Sequence, residues 1–172
     1  LPTKPVRGQV VFVKPNSESK TISHTLQDAG YLTPLAPEIT DRSFHCIGAT
    51  YHAKPVHENQ CALDTNTLLK EAGNKHPAFS TLTENDVLGI RIGYRLSTPD
   101  KLPLIGPLVD PEKMKLLYGK ALRDGRVRDL PALNPEYGEW IFLGMSSRGI
   151  TFSSYGAEIL ASLMCGEALP VE

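Results

Sequence analysis

The sequence predicts an α+β fold in which helices pack on a mainly antiparallel or mixed β-sheet. Segments rich in β-branched and aromatic residues dominate the first 100 residues, and three segments carry helix start and stop signals. Glycine and proline turn signals separate these segments. A chain of 172 residues suits one domain or one compact part of a larger protein. Because it begins at Leu1 without a methionine, we expect a part of a longer protein.

Charge and cysteine content narrow the class of protein. The formal charge of −1 and the pI near 6.6 argue against nucleic-acid binding by overall charge, so a polyanion would have to be bound locally. Cys46, Cys61 and Cys165 are odd in number and far apart, which predicts neither a disulfide framework nor a zinc site. No apolar run reaches the roughly 20 residues that span a bilayer. We therefore expect a soluble protein of the cytoplasm.

The first half of the chain is predicted to be mostly strand. Pro5 to Val13 alternates like a strand, with Arg7 and Gln9 on one face. Two shorter segments, 31–34 and 44–51, are predicted to form a hairpin. Each segment would contribute to the same sheet.

Helix signals appear in three places. Asp64 or Thr65 is predicted to cap a short helix that ends at Gly73. Asp110 and the proline after it are predicted to start a second helix, which ends at Gly125. The third helix follows an apolar strand at 140–144 and a Ser-Ser-Arg-Gly turn, and is expected to end at Gly166 or Pro170. The start of this third helix would present backbone N–H groups to an anion.

The stretch from Arg91 to Gly106 is predicted to be a site as well as a strand. Arg91, Gly93 and Arg95 share one face of the strand, so two guanidinium groups flank a residue without a side chain. Arginine binds carboxylates through planar, bidentate contacts. The alternative is an arginine paired with an acidic residue across the sheet. Spacing leaves both possibilities open.

Other chemistry finds little support in the sequence. There is no Gly-x-Ser-x-Gly motif, none of the five histidines has an evident nucleophile partner, and no two histidines have metal-ligand spacing. No two glycines are separated by a single residue, so the dinucleotide fingerprint Gly-x-Gly-x-x-Gly is absent. We therefore predict no metal site and no classical catalytic residue.

A basic run lies between Lys113 and Arg128, where six lysines and arginines stand against the single acid Asp124. A solvated helix face and a contact with a phosphate backbone both explain this pattern.

Four segments resemble the flavin-dependent amine oxidoreductases of the D-amino-acid oxidase, glycine oxidase and sarcosine oxidase group. Pro5 to Gln9 resembles a strand of their substrate domain, and Gly48 to Thr50 a short segment further along. Arg95 to Gly106 is similar to their Arg-x-x-Thr-x-Asp-x-x-Pro-x-Ile-Gly motif, and Leu143 to Thr151 to their flavin-facing turn and helix. The resemblance is closest to the C-terminal oxidoreductase domain of the bifunctional enzymes that make 5-methylaminomethyl-2-thiouridine in tRNA, in the segments 30–34, 45–52, 147–149 and 157–161.

This resemblance implies an FAD enzyme that oxidises the C–N bond of a carboxymethylaminomethyl group on a wobble uridine. Hydrolysis of the imine would then release glyoxylate. Hydride passes to the flavin in this group, so no dedicated protein base is expected. Arg95 matches the arginine that holds the substrate carboxylate, and Arg91, Tyr51 and His52 are placed with it at the substrate. The residues expected beside the cofactor are Gly106, Ser147, Arg148, Gly149, Ile150 and Thr151.

The resemblance also implies an organisation. Residues 1–100 would form the substrate-binding sheet, and residues 101–172 the C-terminal return of an FAD-binding domain. FAD should be non-covalent, because Gly93 stands where sarcosine oxidases have the cysteine that tethers flavin. Without the glycine fingerprint, the chain is expected to hold FAD weakly or not at all by itself. The expected partners are tRNA, through the basic run, and a methyltransferase domain on the same polypeptide, with no membrane partner.

Two alternatives remain open from the sequence. One is a small-molecule amine oxidase or dehydrogenase that acts on glycine, sarcosine or a D-amino acid. The other is a non-catalytic module that keeps the sheet and a carboxylate pocket without redox chemistry.

Overall fold

A computed structural model describes residues 3–28, 30–35, 43–54, 57, 59–123 and 138–170. These residues form two compact units. Lys4–Arg95 make up the first, and the described residues from Leu96 onward, together with Thr3, make up the second. The predicted α+β class is confirmed, since antiparallel strand pairs and three α-helices are all present.

The first unit is built on a five-stranded sheet with the strand order β2-β3-β4-β1-β5. The strands are β1 (Lys4–Val13), β2 (Leu26–Gln27), β3 (Tyr31–Leu32), β4 (His45–Gly48) and β5 (Val87–Ser97), the last of which ends in the second unit. Strand β4 pairs antiparallel with both β1 and β3, so that Cys46 lies opposite Phe12 and Gly48 opposite Tyr31. The predicted hairpin is therefore present, although its two strands are shorter than the sequence indicated.

Helix α1 (Gln60–Lys75) packs on one face of this sheet. The core lies between the helix and the sheet and contains Val11, Val13, Ile47, Leu68 and Phe79, all almost fully buried. Because side chains alternate along a strand, Gly8, Val10 and Phe12 of β1 point to the opposite face. That second face carries the candidate site.

The predicted start of this helix is wrong. The helix begins at Gln60 and not at Asp64 or Thr65, and it continues past Gly73 to Lys75. Asp64 and Thr65 do not cap it because their side chains hydrogen-bond to β1. Gly73 serves packing instead, since a Cβ there would lie 3.1 Å from the Cα atom of Ser80.

The second unit pairs two short strands with two helices. Strands β6 (Leu104–Pro107) and β7 (Trp140–Leu143) are antiparallel, and the helices are α2 (Pro111–Arg123) and α3 (Gly149–Cys165). Helix α2 starts as predicted, with the Asp110 carboxylate accepting a hydrogen bond of 2.8 Å from the backbone N–H of Glu112. Helix α3 packs on β6 and β7 and ends at Gly166, whose φ of +69° suits glycine. The predicted stop of α2 at Gly125 lies outside the described residues.

Candidate functional site

A cavity of about 390 Å³ lies in the first unit, on the face of the sheet opposite α1. Its wall comes from β1, β3, β4 and β5, and none of the described residues that line it is acidic. The lining residues are Gly8, Val10, Phe12, Tyr31, Cys46, Arg91, Gly93, Tyr94 and Arg95. The structure thus brings Arg91, Gly93 and Arg95 together at one cavity, as their alternation along β5 indicated.

Arg95 lies across the backbone of Gly8. A Cβ atom at Gly8 would come within 2.9 Å of the Arg95 Cζ atom and 3.0 Å of its Nη2 atom, so only glycine leaves room for the guanidinium. Among the described residues Arg95 has no ion-pair partner; the arginine that pairs with a carboxylate is Arg7, which binds Asp64. This arrangement leaves the Arg95 guanidinium available to a ligand in the cavity.

Tyr31 and Cys46 line the same cavity and interact with each other electrostatically. The Tyr31 ring lies against Gly48, where a Cβ atom would approach its Oη atom to 2.8 Å. Burial and the neighbouring Cys46 raise the pKa of Tyr31, while the positive charge of Arg95 opposes the shift. Burial likewise raises the pKa of the Cys46 thiol. The phenol is therefore protonated at neutral pH and can donate a hydrogen bond to a carboxylate.

Tyr51 and His52 are not among the lining residues of this cavity. Tyr51 is 54% exposed. The His52 side chain bonds Asp64 at 2.9 Å, and its backbone pairs with that of Arg7. Their assignment to substrate binding stays a prediction.

The motif that follows Arg95 forms a compact turn in the second unit. The Thr98 hydroxyl donates to the Leu102 carbonyl at 2.7 Å, and the Asp100 carboxylate accepts from the Leu102 N–H at 3.0 Å. Gly144 lies close to Thr98, because a Cβ atom there would come within 2.9 Å of the threonine Cγ2 atom. The spacing of the motif therefore produces a turn at residues 98–102. This turn contacts Gly144, where the segment before α3 begins.

The turn before α3 runs from Gly144, with φ +81°, through Ser146, with φ +53°, to Arg148. Ser146 is fixed by a 2.8 Å hydrogen bond between its hydroxyl and that of Ser97. The Arg148 side chain makes no capping bond and lies over the Phe152 ring, 5.7 Å from its centroid. Ile150 is 95% exposed. The first turn of α3 is therefore open on its outer side.

These residues fit one end of a flavin. The N-terminus of a 17-residue helix carries partial positive charge, which suits the pyrimidine edge where reduced flavin is anionic. At Gly149, no described atom lies within 4 Å of where a Cβ would be. The same holds for Gly106, whose φ is +150°. The chain contains no matching fingerprint for the pyrophosphate.

Other candidate chemistry is limited in the part of the chain that the structure describes. Those residues contain no group of three or more His, Cys, Asp or Glu side chains placed to hold a metal ion. None of the helices they form is long and apolar enough to cross a membrane. The basic run is described only in part: Lys113, Lys115 and Lys120 lie on α2, whereas Arg126 and Arg128 lie outside the described residues.

Sequence reasoning assigned Arg91, Gly93 and Arg95 to a site but missed the other six lining residues, which are Gly8, Val10, Phe12, Tyr31, Cys46 and Tyr94. The alternation of β1 places Gly8 on the face opposite Arg7 and could have indicated its role. No comparable signal was available for Tyr31 and Cys46, because their place depends on the register of β4 with β1 and β3.

The chain is similar to known flavin enzymes along its whole length. The family model of the FAD dependent oxidoreductases, DAO, matches residues 1–163. The tRNA 5-methylaminomethyl-2-thiouridine biosynthesis bifunctional protein MnmC of Leptospira interrogans serogroup Icterohaemorrhagiae serovar copenhageni is 36% identical over 173 residues, which cover 100% of this chain and 26% of that protein. The protein of the same name from Burkholderia thailandensis is 34% identical over 181 residues, which cover 99% of this chain and 25% of that protein. The chain therefore spans about a quarter of the length of the curated relatives it matches.

Solved structures show the same fold. Glycine oxidase from Bacillus cereus superposes with a TM-score of 0.62 at 18% identity, over 98% of this chain and 38% of that one. Iminodiacetate oxidase (IdaA) from Chelativorans sp. BNC1 gives a TM-score of 0.61 at 17% identity, over 99% of this chain and 38% of that one. At these identities the likeness establishes the fold alone. The resemblance drawn from the sequence motifs is confirmed by the family match, and this chain belongs to the FAD dependent oxidoreductase family.

Proposed function

We propose that the chain is the carboxylate-binding and flavin-facing part of an FAD-dependent amine oxidoreductase. Its substrate would be 5-carboxymethylaminomethyl-2-thiouridine at the wobble position of tRNA, from which the enzyme removes the carboxymethyl group. The observation that carries the proposal is that Arg95 and Tyr31 line one cavity to which no described residue contributes an acidic side chain. The names of the relatives, which refer to biosynthesis of the corresponding methylaminomethyl nucleoside, support the choice of substrate.

The substrate carboxylate would be bound by two donors of different kinds. Arg95 offers two parallel N–H groups in a fixed plane, and the Gly8 backbone beneath it limits how far the guanidinium can move. Tyr31 adds a neutral O–H donor, because its raised pKa keeps it protonated at neutral pH. Fixing the carboxylate fixes the adjacent carbon, whose C–H bond is to be broken.

The cofactor would be FAD, held without a covalent bond. When bound, it supplies the oxidising chemistry by accepting a hydride. We propose that Gly106, Ser147, Arg148, Gly149, Ile150 and Thr151 contact it, with the start of α3 stabilising negative charge.

The remaining assignments follow from the proposed substrate. A tRNA substrate places the enzyme in the cytoplasm, and the basic run that begins at Lys113 would contact the RNA backbone. Tyr51 and His52, in the segment that follows β4, would contribute to substrate binding. A methyltransferase domain on the same polypeptide would account for the word bifunctional in the names of the relatives.

The first test uses the full-length parent protein. It is incubated with tRNA that carries the carboxymethylaminomethyl group, and the nucleosides are analysed by mass spectrometry. We expect loss of the carboxymethyl group and release of glyoxylate.

The cavity would also admit a free amino acid, since 390 Å³ falls within the range of small-molecule sites. Turnover of glycine or sarcosine without turnover of tRNA would establish that alternative instead.

The second test addresses Arg95. Replacing it with alanine in the parent protein should raise the apparent KM roughly 10- to 100-fold, because a charge-assisted hydrogen-bonded contact is lost. Gly8→Ala should raise the KM as well, since the added methyl group displaces the guanidinium. The control is Gly89→Ala on β5, where the nearest described atom to the new Cβ belongs to the Phe12 ring, at an ordinary 3.8 Å. Unchanged KM values for both Arg95→Ala and Gly8→Ala would remove Arg95 from the carboxylate role.

A further inference from the structure

We propose that Arg91 binds a backbone phosphate of the polynucleotide that carries the substrate group, while Arg95 takes the carboxylate of that group. The inference rests on the proposed function and extends it, because it makes the cavity a site for a nucleotide within an RNA chain and not for a free amine.

The two arginines lie at one cavity but at separate points along it. They are four residues apart on the same face of β5, which places their Cα atoms about 13 Å apart. Gly93 stands between them, and no described atom lies within 4 Å of where its Cβ would be. The two side chains start from well-separated points on the strand, which suits a ligand that carries two anionic groups.

The surroundings of the two guanidinium groups differ. Arg95 is half-buried against Gly8 and lies close enough to Tyr31 for its charge to act on the phenol. Arg91 is exposed. A small carboxylate gains most at Arg95, where a neutral donor and a fixed guanidinium act together. A phosphodiester, which stays partly solvated when its base substituent is bound, suits the exposed guanidinium.

Among the residues that the structure describes, no acidic group at the cavity opposes this assignment. The neighbouring strands contribute only apolar residues, glycine, Tyr31 and Cys46 to the lining, and among the described residues Arg91 forms no ion pair. The whole chain has a formal charge of −1, so overall charge does not attract RNA. Phosphate recognition therefore has to come from local positive charge such as that of Arg91.

The experiment measures binding of two probes to the FAD-loaded parent protein over a series of salt concentrations. One probe is the free carboxymethylaminomethyl-uridine nucleoside, and the other is an anticodon stem-loop RNA with the same nucleoside at the wobble position. The variants are Arg91→Gln, Arg91→Lys and Arg95→Gln. Lys70→Gln, on the exposed side of α1, is the matched control for loss of one positive charge.

We expect Arg91→Gln to weaken binding of the stem-loop by about tenfold at low salt and to leave binding of the free nucleoside unchanged. The slope of log Kd against the logarithm of the salt concentration should fall by about 0.7 to 0.9, which is the value for one phosphate contact. Arg91→Lys should keep the salt dependence, because the charge is retained, and Lys70→Gln should behave as the wild type.

Two results would overturn the inference. Equal weakening of both probes by Arg91→Gln would assign Arg91 to the nucleoside itself, and an unchanged salt dependence would exclude a phosphate contact. Arg95→Gln reports separately on the proposed function: it should weaken both probes. If it weakens neither, the carboxylate role of Arg95 fails while the result at Arg91 can still be interpreted.

Discussion

A buried ion pair between Arg7 and Asp64 ties β1 to α1. The two residues are 5% and 3% exposed. The Asp64 carboxylate also accepts a hydrogen bond from the Gln60 amide at 2.8 Å and one from the His52 ring at 2.9 Å, so both of its oxygens have partners. Gly8 follows Arg7 in the strand and supports the Arg95 guanidinium on the opposite face. The ion pair therefore holds the part of β1 that contacts Arg95, from the opposite face of the sheet.

Replacing Asp64 with asparagine should lower the free energy of unfolding by about 3–5 kcal/mol, because it leaves the buried Arg7 charge without its partner. Urea denaturation of the chain, followed by circular dichroism, measures the change. Glu84→Gln, at an exposed position, is the control and should stay within about 0.5 kcal/mol of the wild type.

The same carboxyl gives the stability a pH dependence. Burial alone would raise the pKa of Asp64, but hydrogen bonds from Gln60, His52 and Arg7 outweigh it and hold the pKa below its ordinary value. The unfolded state thus binds the proton more tightly, and the stabilisation is present above the unfolded pKa of about 3.9. It is lost as the pH falls through the lower folded pKa. Asp64→Asn should therefore show a smaller loss of stability on acidification than the wild type, and an identical loss would contradict this account.

At the scale of elements, two helices carry glycine for different reasons. Gly156 of α3 lies against the Phe142 ring of β7, where a Cβ atom would come within 2.6 Å of the ring Cε2 atom. At Gly119 of α2, the nearest described atom to a Cβ would be the Lys115 Cγ atom, at an ordinary contact distance of 3.8 Å. The close contact at Gly156 sets how near α3 can lie to the sheet whose turn leads into it.

These glycines make a matched pair for alanine substitution. Gly156→Ala should destabilise the chain by about 1–3 kcal/mol, because the ring or the helix must move. Gly119→Ala should stabilise it by up to about 1 kcal/mol, because alanine loses less conformational freedom in a helix. Thermal unfolding measures both. A rise in Tm for both variants would show that α3 does not depend on close contact at Gly156.

At the scale of the whole molecule, the described residues divide the proposed work between two units. The carboxylate cavity belongs to Lys4–Arg95, and the turn that would face the flavin belongs to the part from Leu96 onward. The chain spans about a quarter of the length of its relatives, and no glycine fingerprint for a pyrophosphate occurs in it. The complete cofactor site would therefore need further residues.

The purified chain should retain little FAD after dialysis, as judged by flavin absorbance. A charge at a helix N-terminus contributes typically about 0.3–1 kcal/mol, whereas micromolar affinity needs about 8 kcal/mol. The full-length parent, dialysed in parallel, should keep its flavin. Stoichiometric FAD in the dialysed chain would show that these residues bind far more of the cofactor than the start of α3 accounts for.

The sequence by itself determined the element types, the family and the face of β5. Hydrophobic alternation and capping residues indicated the strands and the start of α2, because these signals act within a few residues. The spacing from Arg95 to Gly106 predicted a turn and identified the motif. Alternation along the strand placed Arg91 and Arg95 on the same face. Each of these properties is local to one segment of the chain.

Only the tertiary structure decided which residues meet at the cavity. Sequence spacing gives the faces of a strand but not its neighbours or their register, so the meeting of Tyr31 and Cys46 with Arg95 could not be derived from it. The error at Asp64 has the same origin: a local rule favours a helix cap, but the buried charge of Arg7 offers a stronger partner from another element. Long-range pairing outweighed local preference at both places.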